Sequence, residues 1–348
     1  MNPVLVEVYR GLAVESMHRG AVAVVDAAGR CVLALGDIER PVFPRSAVKL
    51  LQALPLVASG AADALALSDE ELALACASHN GEPAHVATAA SMLAKAGVDA
   101  GALECGTHWP YREVFQREMA GRGELPGPLH NNCSGKHAGF LCLACRRAGG
   151  RATAEFARGY VQPGHPVMRE VTQALQAATG WDLQQAPQGI DGCSIPTFAI
   201  PLRHLALAFA RVGTGNGLDA DHARAAQRLR RAVARAPFMV GGSDRFDTRV
   251  MQLLGDRVCC KVGAEGMYCA ALPERGLGVA LKIDDGNNAR AAEVAMAALI
   301  EACVILDDDA ARQMRSLSEV VLKNWNGHEV GTLRASAALR AAARQASG

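Results

Sequence analysis

Through the first 36 residues the apolar positions come in short runs, VLVEV, then VESM leading into AVAVVDAAG, then CVLALG, separated by Gly and Asp. Such runs with turn residues between them predict a β-meander. From Pro41 the text changes to PVFPRSAVKLLQALPLVASGAAD, where Val48, Leu51 and Leu54 follow helical spacing and Ser46 stands close behind Pro44 at the start. From about 66 to 254 the periodicity is mostly helical. SDEELALACASH opens with Ser68 as an N-cap, and HVATAASMLAKAG, PVMREVTQALQAATG, IPLRHLALAFARVG and ADHARAAQRLRRAVARA follow. Near 257 strands return as RVCCKVG, MYCAALPE and LGVALKID, and NARAAEVAMAALIEACVIL is the last long helix. The tail GTLRASAALRAAARQASG reads as a helix or a fraying end. The expected fold class is α/β (α+β), with an antiparallel sheet built from both chain ends, flanking helices and a large inserted helical lobe. One catalytic domain is expected over 1–335, its sheet lobe drawn from 1–65 and 255–335 and its helical lobe from 66–254, with 336–348 as a C-terminal tail.

Composition narrows the classes. The chain has 348 residues, 50% of them hydrophobic and 20% charged, which excludes disorder and collagen-like order. With 36 Lys+Arg against 35 Asp+Glu the net charge is +1, too small a field to attract nucleic acid or anionic lipid, so small-molecule chemistry is the default. Glu7, Arg10, Glu15 and Arg19 break every apolar run near the N-terminus, and no run elsewhere is long enough to span a bilayer. A cytoplasmic protein is expected, its 11 cysteines mostly reduced and buried. Only six of the basic residues are lysines: Lys49, Lys95, Lys136, Lys261, Lys282 and Lys323. Where Arg is so freely used, a Lys marks a place where an amine that can lose its proton is wanted.

Three motifs carry that thought further. Ser46 and Lys49 form an S-x-x-K whose i,i+3 spacing on a helix puts both side chains on one face, where a desolvated amine can take the hydroxyl proton. Ser78-His79-Asn80 has the form S-x-N after a predicted helix, and Lys261-Val262-Gly263 has the form K-x-G at the end of a predicted strand. In chain order these are the three elements of serine β-lactamases and penicillin-binding proteins. The spacing departs from theirs, with Ser78 close behind Ser46 and Lys261 far beyond it, which points to a β-lactamase-like fold with different contents.

Those contents begin with Asn131-Asn132-Cys133-Ser134-Gly135-Lys136-His137, a crowd of polar groups at a loop-to-helix start. A second polar turn, Gly189-Ile190-Asp191-Gly192-Cys193-Ser194, adds an acid and a cysteine. Other features read as packing or loops. Cys142 and Cys145 form a C-x-x-C inside an apolar helix, and Cys259 and Cys260 point to opposite faces of a strand. Pro83 rules out the helix that His79, Glu82 and His85 would need to hold a metal, and Gly213 to Gly217 follow a helix, outside any dinucleotide-binding context. MVGGSDRFDT reads equally as a mobile segment or a helix-to-helix turn.

The stretches PRSAVKLLQALP, LALACASHNGEPAHV, ECGTHWPY, HNNCSGKHAGFL, GYVQPGHPVMREV, GIDGCSIPTF, MVGGSDRFDT and KVGAEGMYCAAL resemble the rhizobial-type L-asparaginase family, also called asparaginase II or class 3, over roughly residues 5 to 310. The resemblance implies hydrolysis of L-asparagine to L-aspartate and ammonia on a serine β-lactamase/glutaminase-like fold, by a homodimer. It implies a first Ser/Lys pair, Ser46 with Lys49, and a second, Ser78 with Lys261, with Ser46 as nucleophile. It also implies a zinc ion held by Cys133, Lys136 and Cys193. Spacing alone reads those two cysteines first as buried thiols, since a lysine nitrogen is an unusual zinc ligand. For the substrate, Arg45 suits the α-carboxylate and Asp191 the α-ammonium, with Asn80 and His137 as further donors or acceptors. A glutaminase, or another acyl-transfer enzyme on the same fold, is the alternative.

Overall fold

The computed structural model describes residues 1–346. It divides into two compact units, one of 1–47, 199–217 and 257–346, the other of 48–198 and 218–256.

The first unit is built on an eight-stranded antiparallel sheet. Its strands are β1 (Val4–Arg10), β2 (Ala13–Asp26), β3 (Cys31–Leu35), β4 (Cys259–Val262), β5 (Met267–Leu272), β6 (Leu277–Ile283), β7 (Glu319–Lys323) and β8 (Glu329–Ala335), in the order β7-β8-β1-β2-β6-β5-β4, with β3 also paired to β2. Both chain ends do contribute, as the runs of apolar residues predict. VESM leads into AVAVVD as one continuous strand: the first half of β2 pairs with β1, and its second half with β6 and β3. The helix Leu202–Thr214 lies on β2, β5 and β6. Gly278 allows that contact, because a Cβ there would overlap the Ala206 carbonyl oxygen. Glu293–Cys303 packs with Asp308–Ser318 and Ala337–Ala346.

The second unit is helical around Ser134–Arg147, whose residues from Ser134 to Ala144 are all buried. This helix touches Asp69–Ala75, Pro83–Lys95 and Pro166–Thr179. A helix surrounded on all sides should be apolar throughout, yet this one begins with Ser134, Lys136 and His137, so its polar start has partners inside the unit. Gly135 is what lets it approach, since a Cβ there would overlap Leu74. Ser68 caps Asp69–Ala75 as expected, in a full capping box with Glu71.

Several boundaries fall elsewhere than the periodicity places them. Residues 48–65 group with the helices and 199–217 with the sheet. The expected helix after Pro41 is a 3₁₀ turn, Arg45–Val48, followed by three short helices, Lys49–Gln52, Leu54–Ala58 and Ala61–Ala64. Pro55 removes a donor at that break, and Gly60 turns left-handed before the third piece. The presumed tail is a strand, β8, and the helix Ala337–Ala346, with 347–348 outside the described residues. Among the described residues no helix is long and apolar enough to cross a membrane.

Candidate active site

The sheet unit carries Arg45, Ser46 and Lys261. A two-stranded pairing, Pro41–Val42 with Ile200–Pro201, leads the chain to Pro44. Arg45 then takes left-handed backbone, φ 51°, an expensive conformation for a side chain with a Cβ. Ser46 follows half-buried in the 3₁₀ turn, and the Ala47 N–H donates to the Pro44 carbonyl at 3.0 Å, so that amide is already engaged. Lys261 is buried on β4, its ammonium donating to the Val262 carbonyl at 2.9 Å. The glycine of K-x-G has a steric reason, because a Cβ on Gly263 would come within 2.7 Å of the Pro44 oxygen. The end of β4 therefore lies against the chain that presents Ser46.

The helical unit carries the rest, and here the structure joins two residues that the motifs assign to different pairs. Lys49, fully buried, donates to Ser78 Oγ at 2.9 Å, to the Ala77 carbonyl at 2.5 Å and to the Asn132 carbonyl at 3.4 Å. Three donors thus meet three oxygens. Ser78 is held in turn by its own N–H on the Val240 carbonyl and by the next residue, whose N–H donates to Asn132. His79 Nδ1 accepts from the Gly81 N–H, so its Nε2–H donates to Ser134 Oγ at 3.0 Å, and Ser134 Oγ donates to Leu129 O. Burial, then the charges of His85 and Lys49, hold His79 well below the ordinary histidine value.

Asn80 does not stand open as a ligand group. Its Nδ2 donates to Glu82 and to the Ser243 carbonyl, and its Oδ1 accepts from Arg245. The Glu82 carboxylate takes both the N–H and the hydroxyl of Ser243, at 2.7 and 2.8 Å. Burial raises the Glu82 carboxyl, but the hydrogen bonds from Asn80 and Ser243 outweigh it and leave a net lowering. The segment MVGGSDRFDT is thus pinned to the S-x-N loop.

Cys133, Lys136 and Cys193 do come together. The Asn131 side chain accepts from the Cys133 N–H and donates to the Cys105 carbonyl, which fixes the start of the helix. Cys193 is carried at the tip of the hairpin formed by Gln188–Ile190 and Pro196–Phe198, next to Ser194 in left-handed backbone. Lys136 Nζ lies 2.9 Å from Cys193 Sγ, and Cys193 Sγ lies 3.4 Å from Asp191 Oδ2. A hydrogen bond from Cys193 pulls the Cys133 thiol well below its ordinary value, with the charges of Lys49 and Lys136 helping against burial. Sharing that proton pushes Cys193 up. Burial would lower Lys136, but Cys193, Cys133 and Asp191 raise it instead. The cluster brings two sulfurs, a lysine nitrogen and the Asp191 carboxylate within hydrogen-bonding contact. Among the described residues no three His, Cys, Asp or Glu gather to hold a metal, so a metal here would need the lysine nitrogen as third donor. The chemistry of the set fits zinc, with two soft sulfurs and one nitrogen, and binding would release the protons on Cys193 and Lys136. His137, next in the chain, is fully buried, and burial with the charges of Lys136 and Lys49 holds its imidazole well below the ordinary value.

Sequence reasoning named Asn132 and Glu82 only as parts of motifs and passed over Ser243 and Tyr160 as site residues. The doubled asparagine beside Cys133 was a usable signal, since two amides before a helix are more than capping needs. The partnership of Glu82 with Ser243 spans 161 residues and left no local trace.

The sequence profile described as L-asparaginase II matches residues 6–335. Compared with curated protein sequences, the chain has no significant match. Among solved structures, one described as "Crystal Structure Analysis of Mglu in its tris and glutamate form" aligns at 16% identity with a TM-score of 0.34, covering 84% of this chain and 61% of that one. The chain therefore spans less than two thirds of that structure's length.

Proposed function

We propose, from the membership of this chain in the L-asparaginase II family, an amidohydrolase family, that it hydrolyses the side-chain carboxamide of L-asparagine to L-aspartate and ammonia through a serine-bound acyl intermediate. The observation that carries acyl transfer by a serine is the buried hydrogen bond to Ser78 Oγ from Lys49, an amine that itself stands three residues after Ser46 in the chain. Ser46 Oγ attacks the carboxamide carbon while Lys49, having first given up a proton, takes the hydroxyl proton. The carbon–nitrogen bond then breaks, the nitrogen leaves as ammonia with a proton relayed through Ser78, and a β-aspartyl ester remains. Water adds to that ester and gives a proton to the amine, which passes it to Ser46 Oγ as the ester bond breaks, releasing aspartate and the free serine. Lys261 supports the second serine in this reading, and Arg45 and Asp191 receive the α-carboxylate and α-ammonium. The fold that frames these steps is the serine β-lactamase/glutaminase-like one, on the order of its S-x-x-K, S-x-N and K-x-G elements.

Cys133, Lys136 and Cys193 would hold zinc, which as a Lewis acid orients or polarises a bound oxygen. No step above runs through it. A second reading is favoured by the same 2.9 Å contact: with Lys49 already on its hydroxyl, Ser78 is the nucleophile and Ser46 the relay. Ser46→Ala and Ser78→Ala decide between them. Asparagine turnover stopped at mixing gives a protein heavier by one aspartyl group, and peptide mapping places it. Label on Ser46 supports the first reading and label on Ser78 the second. Full ammonia release by both variants contradicts both readings.

A further inference from the structure

Tyr160 is fully buried in the helical unit, and its hydroxyl makes two contacts. The Glu104 N–H donates to it at 3.0 Å, and it lies 2.6 Å from His137 Nδ1. A phenol has one proton, and with the Glu104 amide donating to the oxygen, that proton is free to go to His137. Nδ1 then accepts, and the ring proton of the neutral imidazole sits on Nε2. Nε2 is buried and has no hydrogen-bond partner among the described residues. A buried N–H left unpaired is costly, and native interiors rarely keep one without a use. An N–H donor of this kind is complemented by an oxygen acceptor of a ligand.

We infer that Tyr160 is a positioning residue: it holds His137 as the Nε2–H tautomer, so that this N–H is donated to a carbonyl or carboxylate oxygen of the bound substrate. The inference rests on the asparagine reading for the identity of that substrate, but the tautomer and its response to a ligand can be read without turnover. Tyr160 stands in GYVQPGHP, 23 residues beyond His137. Its ring meets His137 and Phe140 edge-on, so Tyr160→Phe keeps the packing and removes only the hydroxyl.

The test uses the full-length protein labelled with nitrogen-15 in its histidines, with His137→Gln identifying the His137 signals by their absence. Long-range proton–nitrogen correlation in the unsubstituted protein should show Nδ1 bare and Nε2 protonated, and adding L-aspartate should shift Nε2. Tyr160→Phe should move the ring toward the Nδ1–H tautomer and raise the KM for asparagine about tenfold with kcat within about twofold. Loss of folding alone would lower the active fraction, hence kcat, and leave KM in place. His137→Gln keeps a donor near the position of Nε2 and should retain more affinity for asparagine than His137→Ala. A proton on Nδ1 in the unsubstituted protein, or an Nε2 signal indifferent to aspartate, overturns the inference. If aspartate shifts Nε2 but asparagine releases no ammonia, the positioning role stands and the asparaginase reading fails.

Discussion

Two buried lysine–cysteine neighbourhoods in this chain have opposite chemistry. In the sheet unit Lys261 and Cys269 face each other across the β4–β5 ladder, and burial pushes the Cys269 thiol up despite the lysine's charge. In the helical unit Lys136 and Lys49 stand by Cys133, and there the thiol is pulled down. A nearby ammonium is therefore not sufficient. Lys261 spends a hydrogen bond on the Val262 carbonyl, and Cys269 is fully buried on its strand, where burial outweighs the lysine's charge. Cys133 starts a helix, receives a hydrogen bond from Cys193, and sits where a hairpin tip and a helix start bring side-chain donors together. The sheet packs its thiols and raises them, whereas the loop-to-helix junction pulls one thiol down.

The sharpest way to separate the two neighbourhoods is to remove their lysines. Lys49→Met takes away the base of the proposed reaction and should cut kcat for ammonia release by about 10³-fold or more. Lys136→Met leaves a thiolate buried without its ammonium and should destabilise the protein by about 3–5 kcal/mol in denaturant unfolding, with loss of the thiolate's ultraviolet absorbance and of any bound zinc. Lys261→Met should leave that absorbance unchanged, and a loss would mean the two lysines are electrostatically alike.

Two glycines sharpen the contrast with smaller effects. Gly278→Ala presses on Ala206 and Gly135→Ala presses on Leu74, each at a cost of about 1–3 kcal/mol by thermal or denaturant unfolding. Only Gly135→Ala displaces the helix that carries Lys136 and His137, so only it should also lower activity per folded molecule. Equal activity in the two variants would show that helix position does not matter to the chemistry.

Acid should act through the helical unit as well. His79 and His137 are depressed well below 6.5 in the folded protein, so below pH 6.5 the unfolded chain binds more protons and stability falls as pH falls. Each contributes a slope of about 1.4 kcal/mol per pH unit until its own folded-state value is reached. Unfolding curves at pH 7.5, 6.5 and 5.5 measure this, and His79→Gln should shallow the slope. A flat profile would mean that neither ring is buried neutral.

Much of the fold is legible from periodicity because the second half of β2, β5 and β6 are apolar runs bounded by turn residues, and because Ser68 announces its helix. β7 and β8 are not, since one face of each is wet and EVVLK and EVGTLRA mix charges with apolar residues as a helix would. The site motifs stand out because interiors rarely spend Asn, Lys, His and Cys together. Their pairing does not, because Lys49 is three residues from Ser46 in the chain yet donates to Ser78, a choice made by the fold of 48–78. Tyr160 is invisible for the same reason, being one aromatic in the turn between two helices until the structure puts its hydroxyl on His137.

The central claim is amide hydrolysis of asparagine, and ammonia release tests it most directly. The purified protein is given L-asparagine and L-glutamine separately at equal concentration. Ammonia chiefly from asparagine is the predicted result, with glutamine slower by the factor that one extra methylene imposes, about 1–3 kcal/mol. Ammonia from neither amide, with the protein folded and zinc supplied, would contradict the account.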